Sequence, residues 1–282
     1  MVERVGFIGL GDMGWPMAKN LCGGHFDVMV HDLRSDLVAE LEALGARAAS
    51  SAGQVGSHAE VVGICVVDDA TTEAVAEEVL TGAAAGTILA IHGTVSPDAI
   101  ERLVARASAC DCHIVDAQVT GGRPRALERQ LRFMVGGDDD TVARCQPVFE
   151  TSAAEITHCG PVGTGSIAKI CNNLVQFQAW LAYVEADRLA SQAGLSREKL
   201  FEVLAWIMND NARTFLSVRN VLVGDPGNEA LTERFTEVMH LAEKDLSLAI
   251  ELAKKSGLSL PGTELSRRQV AFLFGLDSLD ES

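Results

Sequence analysis

The chain has 282 residues, with 23 lysines and arginines against 39 aspartates and glutamates, a formal charge of −16 and a hydrophobic fraction of 48%. This length predicts about two domains, and the acidity disfavours nucleic acid and anionic membranes as partners, because both require a broad basic surface. No run approaches the ~20 apolar residues of a membrane span, no secretory signal is evident, and seven scattered cysteines are typical of a reducing compartment. We therefore expect a cytoplasmic globular protein without a metal site.

Up to about residue 163, short apolar runs alternate with segments of helical periodicity. The predicted strands are Val5–Leu10, Phe26–His31, Val61–Val67, Thr87–Ile91, His113–Val115 and Leu131–Val135. The helical segments between them include residues 37–44 and 99–109. Strands alternating with helices indicate right-handed βαβ units, so we expect an α/β domain with a mainly parallel sheet at residues 1–163.

The pattern becomes helical beyond Gly165. Residues 166–185 contain no glycine or proline, the segment 225–228 (Asp-Pro-Gly-Asn) indicates a turn, and residues 231–256 have the pattern of an amphipathic helix that ends at Gly257. We expect an all-α domain at 164–282, which begins with a long helix at about 166–193 and ends in a frayed acidic tail at 277–282.

A glycine-rich segment, Gly9-Leu-Gly11-Asp-Met-Gly14, lies between the first predicted strand and a helix-forming segment. In this context a G-x-G-x-x-G predicts a dinucleotide site, because the tight turn brings backbone and helix N-terminal N–H groups close to a pyrophosphate; the alternative is an ordinary strand–helix turn. Asp32 ends the second strand, where a carboxylate accepts ribose hydroxyls and repels a 2′-phosphate. Leu33 offers no cation there, although Arg34 follows, so the sequence favours NAD over NADP.

One charged side chain, Lys169, lies in an otherwise apolar stretch of the long helix. A helix that is apolar on nearly all sides is expected to be buried, and burial lowers the pKa of an ammonium toward the range useful for proton transfer. Asn172 and Asn173 follow one turn later and share its face. The alternative is a lysine that extends from a helix end into water, with the two asparagines as capping or packing groups.

Four segments resemble motifs of the β-hydroxyacid dehydrogenase family, which includes 3-hydroxyisobutyrate dehydrogenase and tartronate semialdehyde reductase. They are Gly-Phe-Ile-Gly-Leu-Gly-Asp-Met-Gly at 6–14, Asp-Ala-Gln-Val-Thr-Gly-Gly at 116–122, Gly-Pro-Val-Gly-Thr-Gly-Ser-Ile-Ala-Lys-Ile-Cys-Asn-Asn at 160–173, and Lys-Asp-Leu-Ser-Leu-Ala at 244–249. The resemblance covers nearly the whole chain. It implies a Rossmann-type dinucleotide-binding domain followed by an all-α domain like that of 6-phosphogluconate dehydrogenase.

The resemblance also implies a role for each matching position. Lys169 would be the general acid/base, and Asn173 would hydrogen-bond the substrate near the reacting carbon. The substrate carboxylate would be bound by Thr120, Gly121 and Gly122, and the cofactor by Gly9, Leu10, Gly11, Asp12, Met13, Gly14, Asp32, Val66, Val67, Thr94 and Lys244. Lys244 would reach the cofactor from the helical domain; its alternative is a surface ion pair within an amphipathic helix.

Four arginines depart from the family pattern just after the substrate glycines: Arg123, Arg125, Arg129 and Arg132. They are interpreted first as a solvated edge paired with carboxylates such as Glu128. The competing hypothesis is that Arg123 binds a second anionic group of the substrate through a forked ion pair.

Together these patterns predict an NAD-dependent dehydrogenase that transfers hydride between nicotinamide and a small anionic β-hydroxy acid or its semialdehyde. An NADPH-dependent small-aldehyde or imine reductase of the same superfamily and a non-enzymatic dinucleotide-sensing module are the alternatives. Lys169 disfavours the imine reductases, which generally lack this lysine, and the sensor, which would not need it, while Asp32 disfavours NADPH. Family members of this size are usually homodimers or homotetramers built through the helical domain.

Overall fold

The computed structural model describes residues 2–276. Eight strands occupy its first part: β1 (Arg4–Ile8), β2 (Asp27–His31), β3 (Arg47–Ala48), β4 (Val61–Ile64), β5 (Ile88–Ile91), β6 (His113–Thr120), β7 (Leu131–Gly136) and β8 (Ala153–Gly160). The helices between them are α1 (Gly14–Cys22), α2 (Ser35–Glu42), α3 (Ala52–His58), α4 (Asp69–Gly82), α5 (Pro97–Ser108), α6 (Gly122–Leu127) and α7 (Asp139–Phe149). The predicted alternation of strands and helices is confirmed.

The helical part of the chain starts with α8 (Thr164–Gln192). It continues with α9 (Arg197–Leu204), α10 (Asp210–Gly224), α11 (Glu229–Lys255), α12 (Pro261–Arg268) and α13 (Val270–Phe274). The all-α class of this part is also confirmed, whereas the predicted acidic tail at 277–282 lies outside the described residues. Among the described helices, none combines the length and apolar character needed to cross a bilayer.

The strands form one sheet in the order β3-β2-β1-β4-β5-β6-β7-β8. Neighbouring strands are parallel except for β6 and β7, which are antiparallel, so β7 and β8 run opposite to the first six strands. Apolar side chains on the two faces pack beneath the helices in two separate clusters, one around Phe7 and Phe133 and one around Ile64 and Ile91. The carboxyl ends of β1, β2, β4, β5 and β6 therefore lie along one edge.

Two strands have no counterpart in the sequence prediction. β3 is two residues long and both are exposed, while every residue of β8 is partly or largely exposed. Each of these strands lies at an outer edge of the sheet. Edge strands lack the apolar run that marks a buried parallel strand, so hydrophobic patterning does not detect them.

Contacts divide the chain into two units, one that ends at Lys169 and one that begins at Ile170. The second unit has its own core, in which the rings of Phe177, Trp180, Phe215, Phe235 and Phe274 contact one another. In that unit the buried guanidinium of Arg219 donates to the carbonyls of Phe272 and Leu273 at 2.8 and 2.7 Å and so holds α13 against α10.

His92, at the end of β5, is buried among the aromatic side chains of the sheet unit. Its ring stacks on Phe7 and meets Phe133 and Phe149 edge-on, and its Nδ1 donates to the carbonyl of Ala117 at 2.7 Å. Burial lowers the pKa of His92 to about 4, below the usual 6.5. The imidazole is therefore neutral in the folded protein at moderately acidic pH.

This histidine should make the protein less stable as the pH falls from 6.5 to 4. In that window the unfolded chain binds a proton at His92 and the folded chain does not, so acidification favours unfolding. At ~1.4 kcal/mol per pKa unit, the total loss of unfolding free energy is about 3 kcal/mol. Urea unfolding of His92→Asn, which keeps a donor for the Ala117 carbonyl but does not titrate, should show a flatter pH dependence. The exposed His25→Asn variant serves as the control; equal slopes in the wild type and His92→Asn would contradict the prediction.

Candidate active site

The carboxyl edge of the sheet collects most of the residues that the sequence assigned to cofactor and substrate. The glycine-rich segment follows β1, Asp32 follows β2, Val66 and Val67 follow β4, Thr94 follows β5, and Thr120 ends β6 ahead of Gly121 and Gly122. In open parallel sheets, ligands bind in the crevice outside these strand ends. One unit thus brings together all the predicted cofactor residues except Lys244, and the predicted carboxylate-binding turn with them.

The glycine-rich loop is shaped to take a dinucleotide phosphate. The carbonyl of Gly11 accepts from the Trp15 N–H at 3.0 Å as α1 begins, and no atom outside the adjacent residues lies within 4 Å of the position that a Cβ on Gly11 would occupy. A side chain there would fill the space in front of the helix N-terminus, where free N–H groups and the helix dipole favour an anion. These residues fit a pyrophosphate.

Asp32 lies beside this loop and holds it. Its Oδ2 accepts from the backbone N–H of Leu10 at 2.5 Å, and its Oδ1 accepts from the backbone N–H of Arg34 at 2.8 Å. The Arg34 guanidinium is directed to Asp36, 3.8 Å away, and Leu33, between Asp32 and Arg34, is almost fully exposed. The carboxylate keeps further lone pairs for ribose hydroxyls, and the Arg34 guanidinium has another acid beside it.

The turn Thr120–Gly122 connects β6 to α6, and α6 packs on α1. The amide of the buried Asn20 in α1 donates to the carbonyl of Ala126 in α6 at 2.9 Å. At the other end of α6, the Arg123 guanidinium donates to the carbonyl of Asp12 at 3.4 Å and lies 3.8 Å from its carboxylate. Arg123 also stacks over Trp15, 5.5 Å from the ring centroid. Of the other three arginines, Arg132 pairs with Glu155 at 3.5 Å.

The first turn of α8 is anchored by Asp116, which lies at the middle of β6. The Asp116 carboxylate accepts from the backbone N–H groups of Gly163 and Ser166, both at 2.7 Å. It is fully buried; burial raises its pKa and the two backbone donors oppose that effect. A Cβ on Gly165 would lie 2.3 Å from the Asp116 carbonyl, so this close approach of α8 to β6 requires glycine.

Gln118 extends this anchor toward the end of β6. It is fully buried, and its Nε2 donates to the Ile91 carbonyl at 3.3 Å and to the Ser166 hydroxyl at 3.2 Å. Ser166 therefore connects α8 to two positions of β6, the strand that ends at Thr120. Lys169 follows Ser166 by three residues in the same helix.

The expectation that the apolar stretch of α8 around Lys169 is buried is wrong for one side of the helix. Ile167, Cys171 and Val175 are exposed along one side, and Lys169 itself is only partly buried. The prediction assumed that apolar residues on nearly all sides of a helix are covered by other parts of the same chain. In this structure, one apolar side of α8 lies instead at the molecular surface. Lys169 has interactions with neighbouring groups, so it is not an isolated ammonium.

In the helical unit, Asn173 is held by the Lys-Asp-Leu motif of α11. The buried Asp245 accepts from Asn173 Nδ2 at 2.6 Å, while Asn172 donates to Asn173 Oδ1 at 3.0 Å. The Lys244 ammonium lies 3.0 Å from the other oxygen of Asp245. Two motifs that are far apart in sequence thus meet, and the orientation of the Asn173 amide is set by its neighbours.

Sequence reasoning assigned no role to Asp116, Gln118 or Asp245. Asp116 and Asp245 belong to motifs that the sequence analysis quoted, so the signal was present as an acidic residue inside an apolar strand or helix. Such a carboxylate must be paired or hydrogen-bonded when it is buried. Gln118 had no comparable signal, because a single amide in a strand is compatible with exposure.

Comparison with family models assigns both parts of the chain. Residues 4–160 match the model for the NAD binding domain of 6-phosphogluconate dehydrogenase, and residues 163–274 match the model for the NAD-binding of NADP-dependent 3-hydroxyisobutyrate dehydrogenase. The chain belongs to the β-hydroxyacid dehydrogenase family. It is therefore an oxidoreductase with an NAD(P)-binding domain, as the four motifs predicted.

Relatives of this β-hydroxyacid dehydrogenase include proteins named for two substrates. A probable 3-hydroxyisobutyrate dehydrogenase of Mycobacterium tuberculosis and an NAD-dependent L-serine dehydrogenase of Pseudomonas aeruginosa are each 32% identical, with 92% of this chain and 88% of each relative covered. The structure of M. tuberculosis 3-hydroxyisobutyrate dehydrogenase with L-serine is 31% identical and superposes with a TM-score of 0.82, covering 96% of this chain and 94% of that one.

Proposed function

We propose that the protein is an NAD-dependent dehydrogenase of a small anionic β-hydroxy acid, or a reductase of the corresponding semialdehyde. The observation that carries this proposal is the anchoring of the first turn of α8, just before Lys169, to Asp116 and Gln118 of β6, the strand that ends at the turn Thr120–Gly122. A proton-transferring group and a carboxylate-binding turn are the two protein components that oxidation of a hydroxy acid requires.

The preference for NAD rests on the surroundings of Asp32. A 2′-phosphate on the adenosine ribose would meet this carboxylate, and the guanidinium of Arg34, two residues further on, lies 3.8 Å from Asp36. Repulsion without a compensating cation disfavours NADP. The name of the family model that matches the helical part specifies NADP, so cofactor preference is the first property to measure.

Proton transfer is the chemical task of Lys169. The nicotinamide, when bound, accepts or donates the hydride. In oxidation, the neutral Lys169 amine would remove the substrate hydroxyl proton as the carbonyl forms; in reduction, the ammonium would return it to the oxygen. Thr120, Gly121 and Gly122 would hold the substrate carboxylate, and Asn173, oriented by Asp245, would hydrogen-bond near the reacting carbon. These contacts restrict the substrate to a geometry from which transfer is productive.

A turnover screen with NAD and NADP tests the proposal. The panel should contain 3-hydroxyisobutyrate, L-serine, glycerate, 4-hydroxybutyrate and a dicarboxylic hydroxy acid. We expect oxidation of at least one β-hydroxy acid, with kcat/KM at least about tenfold higher with NAD than with NADP. A tenfold difference corresponds to ~1.4 kcal/mol, which is a modest cost for placing a 2′-phosphate beside the Asp32 carboxylate. Higher activity with NADP would overturn the cofactor assignment, and binding of either cofactor without turnover would favour the dinucleotide-sensing alternative.

We also propose that two or more copies of the chain assemble through the helical unit. Among residues 2–276, twelve large apolar side chains beyond Ile170 are exposed, compared with five in the larger sheet unit. Along α8 they include Val175 and Leu189, which are 64% and 72% exposed and continue the exposed side that starts at Ile167. Apolar surface of this extent marks an interface, and a second copy is the partner that the family resemblance implies.

A charge on this exposed side should therefore dissociate the assembly. Light scattering of the wild type should give a multiple of the chain mass of 29.9 kDa, and Val175→Glu should give the chain mass at micromolar concentration. Leu44→Glu, which places the same charge on an exposed leucine of the sheet unit, should leave the assembly intact. A monomeric wild type would contradict the proposal.

The compartment that we propose is the reducing cytoplasm. All seven cysteines are free thiols in the structure. Burial raises the pKa of Cys65 and of Cys145 to about 12, so these two thiols remain protonated and unreactive. Buried cysteines of this kind pack as small apolar side chains, which is typical of proteins in a reducing compartment.

A further inference from the structure

The arginine that departs from the family pattern, Arg123, connects two functional segments of the sheet unit. It directly follows the turn Thr120–Gly122, and its guanidinium reaches the backbone carbonyl of Asp12 in the glycine-rich loop at 3.4 Å. The Asp12 carboxylate lies 3.8 Å away. The Trp15 indole, in the first turn of α1, lies against the guanidinium. One side chain thus contacts the loop backbone, its carboxylate and the helix that follows.

The glycine-rich loop is held on both sides, and the two supports differ. On one side, Asp32, directly after β2, accepts at 2.5 Å from the N–H of Leu10, in the loop that follows β1. On the other side, Arg123 belongs to α6, whose N-terminal end is continuous with the carboxylate-binding turn. The far end of α6 is fixed separately by the bond from Asn20 to the Ala126 carbonyl. Arg123 is therefore the tie at the end nearest the turn.

We propose that Arg123 is a positioning residue that ties the turn Thr120–Gly122 to the glycine-rich loop, so that a dinucleotide phosphate bound at the loop also orders the substrate-binding turn. A phosphate bound by the N–H groups of residues 11–13 restrains the Asp12 backbone, and the restrained Asp12 carbonyl then holds Arg123 and the turn that precedes it. By linkage, a carboxylate bound at the turn strengthens cofactor binding by the same factor. The inference rests on the proposed function.

The observed contacts favour this role over direct binding of a second substrate anion. The guanidinium already has a carbonyl, a carboxylate and an aromatic face around it, and the Asp12 charge offsets its own. An arginine set aside for a dianionic substrate would not be expected to keep an acid as neighbour. Direct binding is nevertheless a distinct arrangement with a distinct kinetic result, which the experiment includes.

Hydrogen–deuterium exchange with and without saturating NADH tests the tie without any substrate. In the wild type, NADH should slow exchange in peptides that cover residues 9–15 and also, at least about threefold, in those that cover 117–123. In Arg123→Met the protection of 9–15 should persist and that of 117–123 should disappear. Arg125→Met removes a neighbouring exposed guanidinium that has no hydrogen bond or ion pair to the described residues, and it should behave like the wild type.

The outcomes separate this inference from the proposed function. If NADH protects residues 9–15 but not 117–123 in the wild type, the tie is overturned and the proposed function stands. The same conclusion follows if the protection of 117–123 persists in Arg123→Met. No protection of 9–15 in the wild type would overturn both. In turnover, Arg123→Met should lower kcat/KM by equal factors for mono- and dianionic hydroxy acids; a loss confined to dianions would overturn the tie in favour of direct binding.

Discussion

Lys169→Met should lower kcat by about 10³-fold while the affinity for NADH changes less than about threefold. The reason is that a positioned general acid/base contributes 10²–10⁴-fold to the rate, and methionine keeps the length and apolar character of the side chain without a group that exchanges protons. Steady-state kinetics with the best substrate of the screen measures the rate, and NADH fluorescence titration measures the affinity. The limb of the pH–rate profile that reports the lysine should disappear as well.

Two further variants make this test specific. Lys169→Arg keeps the positive charge, but its guanidinium does not release a proton near neutral pH, so kcat should stay as low as in Lys169→Met. Lys199→Met removes an exposed lysine that pairs with Glu202 at 2.8 Å, and its kcat should equal that of the wild type. A kcat within tenfold of the wild type in either Lys169 variant would show that another group transfers the proton.

Asp116→Asn should destabilise the protein by about 3 kcal/mol and lower kcat at least tenfold at temperatures where the variant is folded. The Asp116 carboxylate accepts two backbone N–H groups at 2.7 Å in a fully buried site, and an amide group offers an acceptor to only one of them. The other donor is left unsatisfied and faces a second donor, which costs ~1–3 kcal/mol beyond the lost charged hydrogen bond. The rate falls because displacement of the first turn of α8 also displaces Lys169 in the following turn.

Asp138→Asn is the matched control, because it makes the same substitution at an exposed aspartate. Asp138 is exposed and caps α7 by accepting from the Thr141 N–H at 2.9 Å, a role in which asparagine serves about equally well. Asp138→Asn should therefore change the free energy of unfolding by less than ~0.5 kcal/mol and leave kcat unaltered. Urea unfolding together with kinetics at 15 °C distinguishes the two carboxylates, and similar behaviour of the two variants would show that Asp116 is an ordinary cap.

The features that sequence reasoning predicted correctly depend on neighbouring residues. The glycine-rich loop, the strand that ends just before Asp32 and the change to helices after Gly165 are each defined within about thirty residues by spacing and composition. The two edge strands were missed because their exposed residues carry no apolar pattern. The interpretation of the arginines was incomplete, since the sequence offered Glu128 as a partner and the structure pairs Arg123 with Asp12 and Arg132 with Glu155.

The sequence by itself determined the fold class and the family, together with the positions that the family motifs mark, because each depends on local periodicity or on a contiguous motif. The tertiary structure decided which groups hold those positions. Asp116 caps a helix that begins about fifty residues later, and Asp245 orients Asn173 from 72 residues away. Such pairs form only when packing brings distant segments together and the burial of a carboxylate forces it to find donors, and neither condition is visible in the spacing of residues along the chain.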